Sequence, residues 1–282
     1  MNYYIVIPAH NEEQFIALTL ESLISQTLLP KKIVIVNDNS TDQTADIVLA
    51  FAKDNPFITL VDKKSSAIHL PGSKVIQAFQ TGFETLDENY DVIVKIDADL
   101  IFPLDYFESI DKYFKSDPTI AMVGGFCYIE KNGKWILENL TDKDHIRGAL
   151  KAYRKEAFKQ IGGLKPQMGW DTVDELLCKF YDWKVVTDSS LHVKHLKPTG
   201  ANYNKVSRYK QGEAFYTLGY GILITTIASA KLALMKKRPF LFLDYMRGFW
   251  KAKSAKTPLM VSAKQAKFIR RYRLKKMKEK LF

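Results

Sequence analysis

The chain has 282 residues, 46% hydrophobic and 26% charged, the balance of a globular enzyme with one large domain, or one plus an appendage, and enough length to bury a sizeable core. The net charge of +11 is unevenly placed: residues 231–282 hold 17 Lys or Arg against only Asp244 and Glu279, a local +15, which leaves the remainder at −4. That segregation excludes a nucleic-acid-binding body and marks the tail as an electrostatic appendage. Cys127 and Cys178 lie far apart in apolar surroundings without metal or redox spacing, and read as reduced core thiols of a cytosolic protein. Met1-Asn2-Tyr3-Tyr4 runs straight into a strand, so the start reads as lacking a signal peptide.

Tyr4–Pro8 is a short apolar strand, and Ala9-His10-Asn11-Glu12-Glu13 turns into a helix with Phe15, Leu18, Leu20, Leu23 and Ile24 at helical spacing. Ile33–Val36 is a second buried strand. The polar run Asn37–Thr44 follows it, with Ser40 or Thr41 expected to cap the next helix. Ile58–Val61 is a third strand, a helix spans about Ser73 to Leu86, and Val92–Ile96 is a fourth strand, apolar and β-branched enough to be buried on both faces. This alternation predicts an α/β fold with a parallel sheet and right-handed crossovers.

Each strand is followed by a polar cluster: His10-Asn11-Glu12, Asn37-Asp38-Asn39, Asp62-Lys63-Lys64 and Asp97-Ala98-Asp99. Ligands bind at the carboxyl ends of strands in open α/β sheets, so these clusters should share one rim. On extended backbone Asp97 and Asp99 would point the same way, and two such carboxylates are costly to hold together without a cation. An isolated Asp-x-Asp is ordinarily a solvated turn; its company raises this one. No Gly-x-Gly-x-x-Gly follows the first strand and no Walker lysine motif occurs, which removes the dinucleotide and P-loop readings.

Taken together, Ile7–Glu12, Val36–Thr44 and Asp97-Ala98-Asp99 resemble the successive signatures of family 2 glycosyltransferases, in order and spacing, across roughly residues 3–200. The resemblance implies a GT-A fold (Rossmann-like, binding a nucleotide-diphospho-sugar) and a UDP- or GDP-type donor. Pro8, Ala9, Asn11 and Glu12 would line the nucleoside pocket and Asp38 would contact the base. Lys74, Asp97 and Ala98 would complete the donor site, and Asp99 would hold Mg²⁺ or Mn²⁺. One departure stands out: Asn37 occupies the place where the family usually has the first of two Asp residues.

Farther on, Phe126–Leu137 reads as a hairpin turning at Asn132-Gly133. Ile146–Phe158 closes on Gly162-Gly163, which in the family packs below the acceptor site. Its Arg147 and Arg154 are either surface charge or phosphate ligands. Gly169–Leu177 is an acidic helix start resembling the segment that supplies the general base of inverting transferases. Asp171 is the preferred base, Asp174 one turn later is a close second, and a capping carboxylate is the plain alternative. Trp183–Val186 is another strand; His192 and His195 should fall in a loop before Lys197-Pro198-Thr199-Gly200. His195 resembles the family's late histidine that reaches the metal.

The last third changes character. Ala214–Ala230 is uncharged, at the short end of what a spanning helix needs, and Pro239–Trp250 is aromatic and amphipathic with basic flanks. Surface attachment to anionic lipid is preferred over a true span or a helical pair packed on the enzyme. The expected organisation is a catalytic domain over 1–205 and a basic, helical, membrane-associating region over 206–282, at the cytoplasmic face of the membrane. The activity that follows is metal-dependent, inverting transfer of a sugar to an acceptor hydroxyl on a glycan or lipid-linked glycan. The alternatives are a nucleotidyltransferase on a related sheet and a non-catalytic scaffold.

Overall fold

In the computed structural model of the protein, residues 1–65, 72–138, 143–197 and 207–279 are described. They form two compact units. One holds 1–65, 74–164 and 181–197 as far as these are described; the other holds 72–73, 165–180 and the helices beyond 207. The segment 165–180 thus groups with the C-terminal helices.

The first unit is built on β1 (Tyr3–Ala9), α1 (Ile16–Ile24), β2 (Lys32–Asp38), α2 (Thr44–Asp54), β3 (Ile58–Lys63), α3 (Ser73–Phe83) and β4 (Val92–Ile96). These four strands pair in parallel in the order β3-β2-β1-β4, as the alternating pattern predicts. Ile5, Val6, Ile7, Ile33, Ile35 and Val92 are fully buried, since helices cover both faces of such a sheet. Pro8 is tolerated inside β1 because pairing with β4 ends at Val6, so no ladder partner awaits its missing N–H.

Beyond β4 the sheet turns mixed, a departure from the all-parallel expectation. The short β5 (Leu100–Ile101) and α4 (Tyr106–Ser116) lead into β6 (Ile120–Lys131), β7 (Lys134–Leu137), β8 (Leu150–Arg154) and α5 (Lys155–Gln160). β8 runs antiparallel to both β4 and β6, and the β6–β7 hairpin turns at Asn132 and Gly133, both at positive φ. The final strand, β9 (Lys184–His195), lies parallel to β6 and antiparallel to β5. His192 and His195 therefore sit in a strand and not in a loop; pairing with Phe126 and Ile129 extends β9 well past Val186. The predicted Pro198-Thr199-Gly200 turn lies outside the described residues.

Three local expectations change. Neither Ser40 nor Thr41 caps α2: Asp42 Oδ1 accepts from the Thr44 backbone N–H at 3.0 Å and from its hydroxyl at 2.6 Å. Arg154 is a structural clamp, donating to the carbonyls of Ile120, Phe114 and Asp117 at 2.6–3.1 Å. Asp97, Ala98 and Asp99 form a turn after β4, so strand alternation does not set the two carboxylates' directions.

The second unit contains α6 (Trp170–Phe180), α7 (Ser207–Thr217), α8 (Gly221–Met235), α9 (Leu241–Ser254) and α10 (Ala263–Glu279). The uncharged run 214–230 is not one helix. It breaks between α7 and α8 at Gly219 (φ 72°), and among the described residues no helix is long and apolar enough to cross a membrane. Ala214, Phe215, Leu218 and Tyr220 are protein core.

Helices α7 and α9 cross at two glycines. A Cβ on Gly212 would lie 1.8 Å from the Tyr245 carbonyl oxygen, and one on Gly248 would lie 2.1 Å from that of Tyr209. Backbone opposes backbone there, so nothing can rotate away. Gly248→Ala should therefore destabilise the chain by about 1–3 kcal/mol through overpacking. Urea unfolding followed by circular dichroism measures it, and an unchanged midpoint would show that the helices part freely.

Candidate functional site

The loops after β1 and β2 are laced together. The Asn11 backbone N–H donates to Ser40 Oγ at 3.0 Å and Asn11 Oδ1 accepts from the Thr41 N–H at 2.8 Å. The Glu12 N–H donates to Thr44 Oγ1 at 2.8 Å, and His10 Nδ1 lies 2.6 Å from the Asp38 carbonyl oxygen. Pro8 and Ala9, the last residues of β1, stand beside Val36 and Asn37 in the ladder. Asn11 and Asn39 both take positive φ, 54° and 57°, which asparagine tolerates. The result is a rigid double loop at the carboxyl ends of two neighbouring strands.

Inside it, Asn37 and Asp38 divide the work. Asn37 Nδ2 donates to Asp62 Oδ1 at 2.7 Å, and its Oδ1 accepts from the Ser40 N–H at 3.2 Å. An aspartate in its place would set carboxylate against carboxylate at Asp62, so the asparagine fits this chain's own neighbour on β3. Asp38 is buried with its Oδ1 lacking any hydrogen-bond partner. Burying an unpaired carboxylate oxygen costs free energy, and a ligand N–H or O–H would satisfy it.

Next along the rim, the Asp97–Asp99 turn is held on every side. Thr19 of α1, fully buried, donates through Oγ1 to the Ala98 carbonyl at 2.8 Å and accepts from the Leu100 N–H at 3.0 Å. The Asp97 N–H donates to the Ala149 carbonyl and the Leu196 N–H donates to that of Asp99, both at 2.9 Å. Asp97 forms an ion pair with Lys95, whose side chain is 2% exposed inside β4 and also donates to the Gly148 carbonyl at 2.9 Å. Of the two carboxylates, Asp97 thus has its cation built into the strand.

Asp99 faces a different partner. Its Oδ2 is 3.4 Å from His195 Nε2, and His195 Nδ1 is 2.8 Å from Glu138 Oε2, which also pairs with Arg147. Burial disfavours a charged His195, but its bonds to Asp99 and Glu138 outweigh this and lift its pKa from 6.5 to about 9. Arg147 is accordingly tied to this carboxylate chain and is not surface charge. Glu12 completes the group: both its oxygens accept from Lys197 Nζ, at 2.7 and 2.8 Å. Its pKa is raised, first by burial and then, against Lys197, by Asp99 and Asp97.

These contacts test whether a divalent ion fits. A carboxylate oxygen and an imidazole nitrogen converge at Asp99 and His195, and the carboxylate of Glu138 behind the second ring nitrogen is the usual support for a metal-binding histidine. Oxygen with nitrogen suits Mn²⁺ better than an all-oxygen preference such as that of Mg²⁺. Cys127, Glu138 and His195 also offer ligand atoms within 4.8 Å of one another. That trio fits poorly: burial pushes the Cys127 thiol up to about 12, and Arg147 already occupies Glu138.

Structure thus brings Glu12, Asp97, Asp99 and His195 close enough to act on one another's charge, with Pro8, Ala9, Asn11 and Asp38 in the loops beside them. Ala98 serves through its carbonyl. Lys74 stands half-buried in the first turn of α3 and is not among the side chains of this group. Sequence reasoning missed Lys95, hidden in an apolar run, and Glu138 and Lys197, which no local motif marks. Asp171 and Asp174 belong to the second unit. Asp171 is half-buried in the first turn of α6; Asp174 is 1% exposed, with its Oδ1 accepting from the Glu175 N–H at 2.6 Å.

The family model for glycosyl transferase family 2 matches residues 4–165, more than half of the chain. The chain belongs to that family. It is 40% identical over 98 residues to the probable glycosyltransferase YdaM of Bacillus subtilis (strain 168), covering 34% of this chain and 22% of that protein. It is 28% identical over 122 residues to the poly-beta-1,6-N-acetyl-D-glucosamine synthase of Staphylococcus aureus (strain COL), covering 43% and 27%. The matches thus span less than a third of either relative. Among solved structures, the mannosyltransferase PcManGT from Pyrobaculum calidifontis, in complex with GDP-Man and Mn²⁺, superposes with a TM-score of 0.59 at 17% identity, over 95% of this chain and 78% of that one. This likeness establishes the GT-A-like α/β glycosyltransferase fold.

The charge chain carries a pH signature. Because the folded pKa of His195 lies above 6.5, the stability it adds is complete below pH 6.5 and is lost as pH rises through about 9. In EDTA-treated protein the Tm should fall across that window, by roughly 2–4 °C for each kcal/mol lost. Glu138→Gln, which removes one of the two carboxylates, should flatten the profile. Parallel profiles for the two proteins would contradict the Glu138–His195 coupling.

Proposed function

We propose that the protein is a metal-dependent, inverting glycosyltransferase that moves a sugar from a UDP- or GDP-type nucleotide sugar to an acceptor hydroxyl. The observation that carries this reading is the pairing of Asp99 with His195, backed by Glu138, at the carboxyl end of the parallel strands. Asp38 supports it, because its unpartnered Oδ1 is an acceptor waiting for a base or ribose donor. The GDP-Man and Mn²⁺ of the similar mannosyltransferase structure support the donor and ion classes.

Asp99 and His195 would hold Mg²⁺ or Mn²⁺, which when bound supplies charge against the departing diphosphate. Asp97, fixed by Lys95, keeps its orientation whether or not donor is present. Glu12, with its pKa already raised, lines the nucleoside end beside Asn11 and Asp38. The acceptor oxygen attacks the anomeric carbon, the bond to the diphosphate oxygen breaks, and Asp171 takes the hydroxyl proton as general base. We favour Asp171 over Asp174 because Asp171 keeps some exposure while Asp174 is committed to the backbone of its own helix. The likeness to a polysaccharide synthase supports a glycan or lipid-linked glycan as acceptor, met at the cytoplasmic face of the membrane.

A screen of nucleotide sugars with Mn²⁺, reading released nucleoside diphosphate, is the direct test. Asp99→Ala should abolish metal-dependent turnover while its circular dichroism stays that of the folded parent. Wild-type-like turnover of that variant at saturating Mn²⁺ would refute the assignment. Release of pyrophosphate would mean nucleotidyl transfer, and donor-independent silence with tight nucleotide binding would mean a scaffold.

The base is tested separately. Asp171→Asn should retain donor and Mn²⁺ affinity yet lose about 10²–10⁴-fold in transfer rate, the usual contribution of general-base catalysis. If Asp174→Asn shows that split and Asp171→Asn remains active, the base lies one turn farther along the helix.

A further inference from the structure

Helix α8 has its polarity reversed. The side chains it buries include Thr225, Ser229 and Ala233 beside Ile224, and both Thr225 Oγ1 and Ser229 Oγ are buried without a partner. The side chains it exposes include Ile222 (46%), Leu223 (58%), Ile227 (41%), Leu234 (75%) and Met235 (62%), with Lys231 the one exposed charge among them. A helix designed to meet water carries the opposite pattern. The apolar surface continues through Phe240 (78%) in the turn into α9, where Leu243 and Trp250 are 50% and 47% exposed while Leu241, Tyr245 and Phe249 face inward.

Charge decides what this surface meets. Residues 221–254 contain seven Lys or Arg against the single Asp244, which is buried. Lys236, Lys237 and Arg238 crowd the turn between the most exposed apolar side chains, and Lys253 sits 4.7 Å over the Trp250 ring. Apolar side chains flanked by basic ones, with an aromatic at the boundary, match the acyl–headgroup zone of an anionic bilayer. A protein partner would need a complementary acidic rim, and a second copy would bring these same cations face to face.

We propose that the α8–α9 hairpin is a membrane-docking element that seats Leu223, Ile227, Leu234 and Phe240 below the headgroups of an anionic bilayer. The basic turn lies in the headgroup layer, and α8 lies in the interface without crossing it. This surface belongs to the second unit alone, so the inference holds whatever donor the first unit takes. Of the uncharged run Ala214–Ala230 that the sequence pattern favoured, Ala214, Phe215 and Leu218 are core, and only the α8 part belongs to this surface.

The full chain should float with vesicles of phosphatidylglycerol and phosphatidylcholine, and less with phosphatidylcholine alone. Brominated acyl chains should quench Trp250 fluorescence, a signal lost in Trp250→Phe. Leu234→Asp and Phe240→Asp, both at exposed positions, should lower the vesicle partition by about tenfold or more each. Added salt should weaken binding without abolishing it, because the apolar surface remains inserted. Circular dichroism and the rate of donor hydrolysis should match the parent in both variants, separating this test from that of the catalytic reading. Full-length protein that stays with the pellet at low salt would overturn the proposal. So would unquenched Trp250, or a dimer in solution that Leu234→Asp converts to monomer.

Discussion

Buried carboxylates must be answered by cations, and that requirement organises the site. Asp97, Asp99, Glu138 and Glu12 cluster at one end of the sheet, where isolated negative charges would be driven toward protonation. The chain supplies Lys95 to Asp97, Arg147 to Glu138 and Lys197 to Glu12. Asp99 is left to His195, which Glu138 shares and which gives up its charge as pH rises through about 9. Three carboxylates are thereby locked by permanent cations, and the fourth is held by a cation that titrates.

The same economy explains Asn37. With Asp62 on the neighbouring strand already ionisable, a second acid at position 37 would have added an unanswered charge to the rim. The amide instead bridges Asp62 and the Ser40 backbone, so the loop gains two hydrogen bonds and Asp38 is left as the free acceptor. What looks in the sequence like an erosion of a motif is, in the structure, a repair of local electrostatics.

The sequence disclosed the nucleotide-binding half because there the physics is local. Buried parallel strands read as short apolar runs, and each ends in polar residues that cannot continue inward. It disclosed less of the other half. β9 pairs with β6 through residues such as His192, Lys194 and His195, whose polarity resembles that of a loop when the partner strand is unseen. Lys95 lay in a run of β-branched residues that promised only core, and its second partner, the Gly148 carbonyl 53 residues on, becomes a neighbour only after folding. Glu138 and Lys197 gain meaning only from His195 and Glu12, 57 and 185 residues away along the chain. The uncharged run at 214–230 misled for the converse reason: its length suggested continuity, and the turn at Gly219 ends it.

Those sequence separations also bear on how the protein reaches its native state. The strands β1 to β4 can pair as soon as the first third of the chain exists, since each crossover is short. The half that holds the charge chain cannot: Glu138 must wait for His195, and Glu12 for Lys197, with the segment 165–180 grouped with the other unit in between. Closing loops of that size adds little to the equilibrium cost, because closure entropy grows only logarithmically, but it slows the search. A nascent chain therefore passes through a stage in which the loops after β1 and β2 exist without the wall that carries His195 and Lys197. A chain stopped short of residue 195 would carry Glu138 without its His195 and Glu12 without its Lys197, so the charges of this rim are answered only once nearly the whole body has been made.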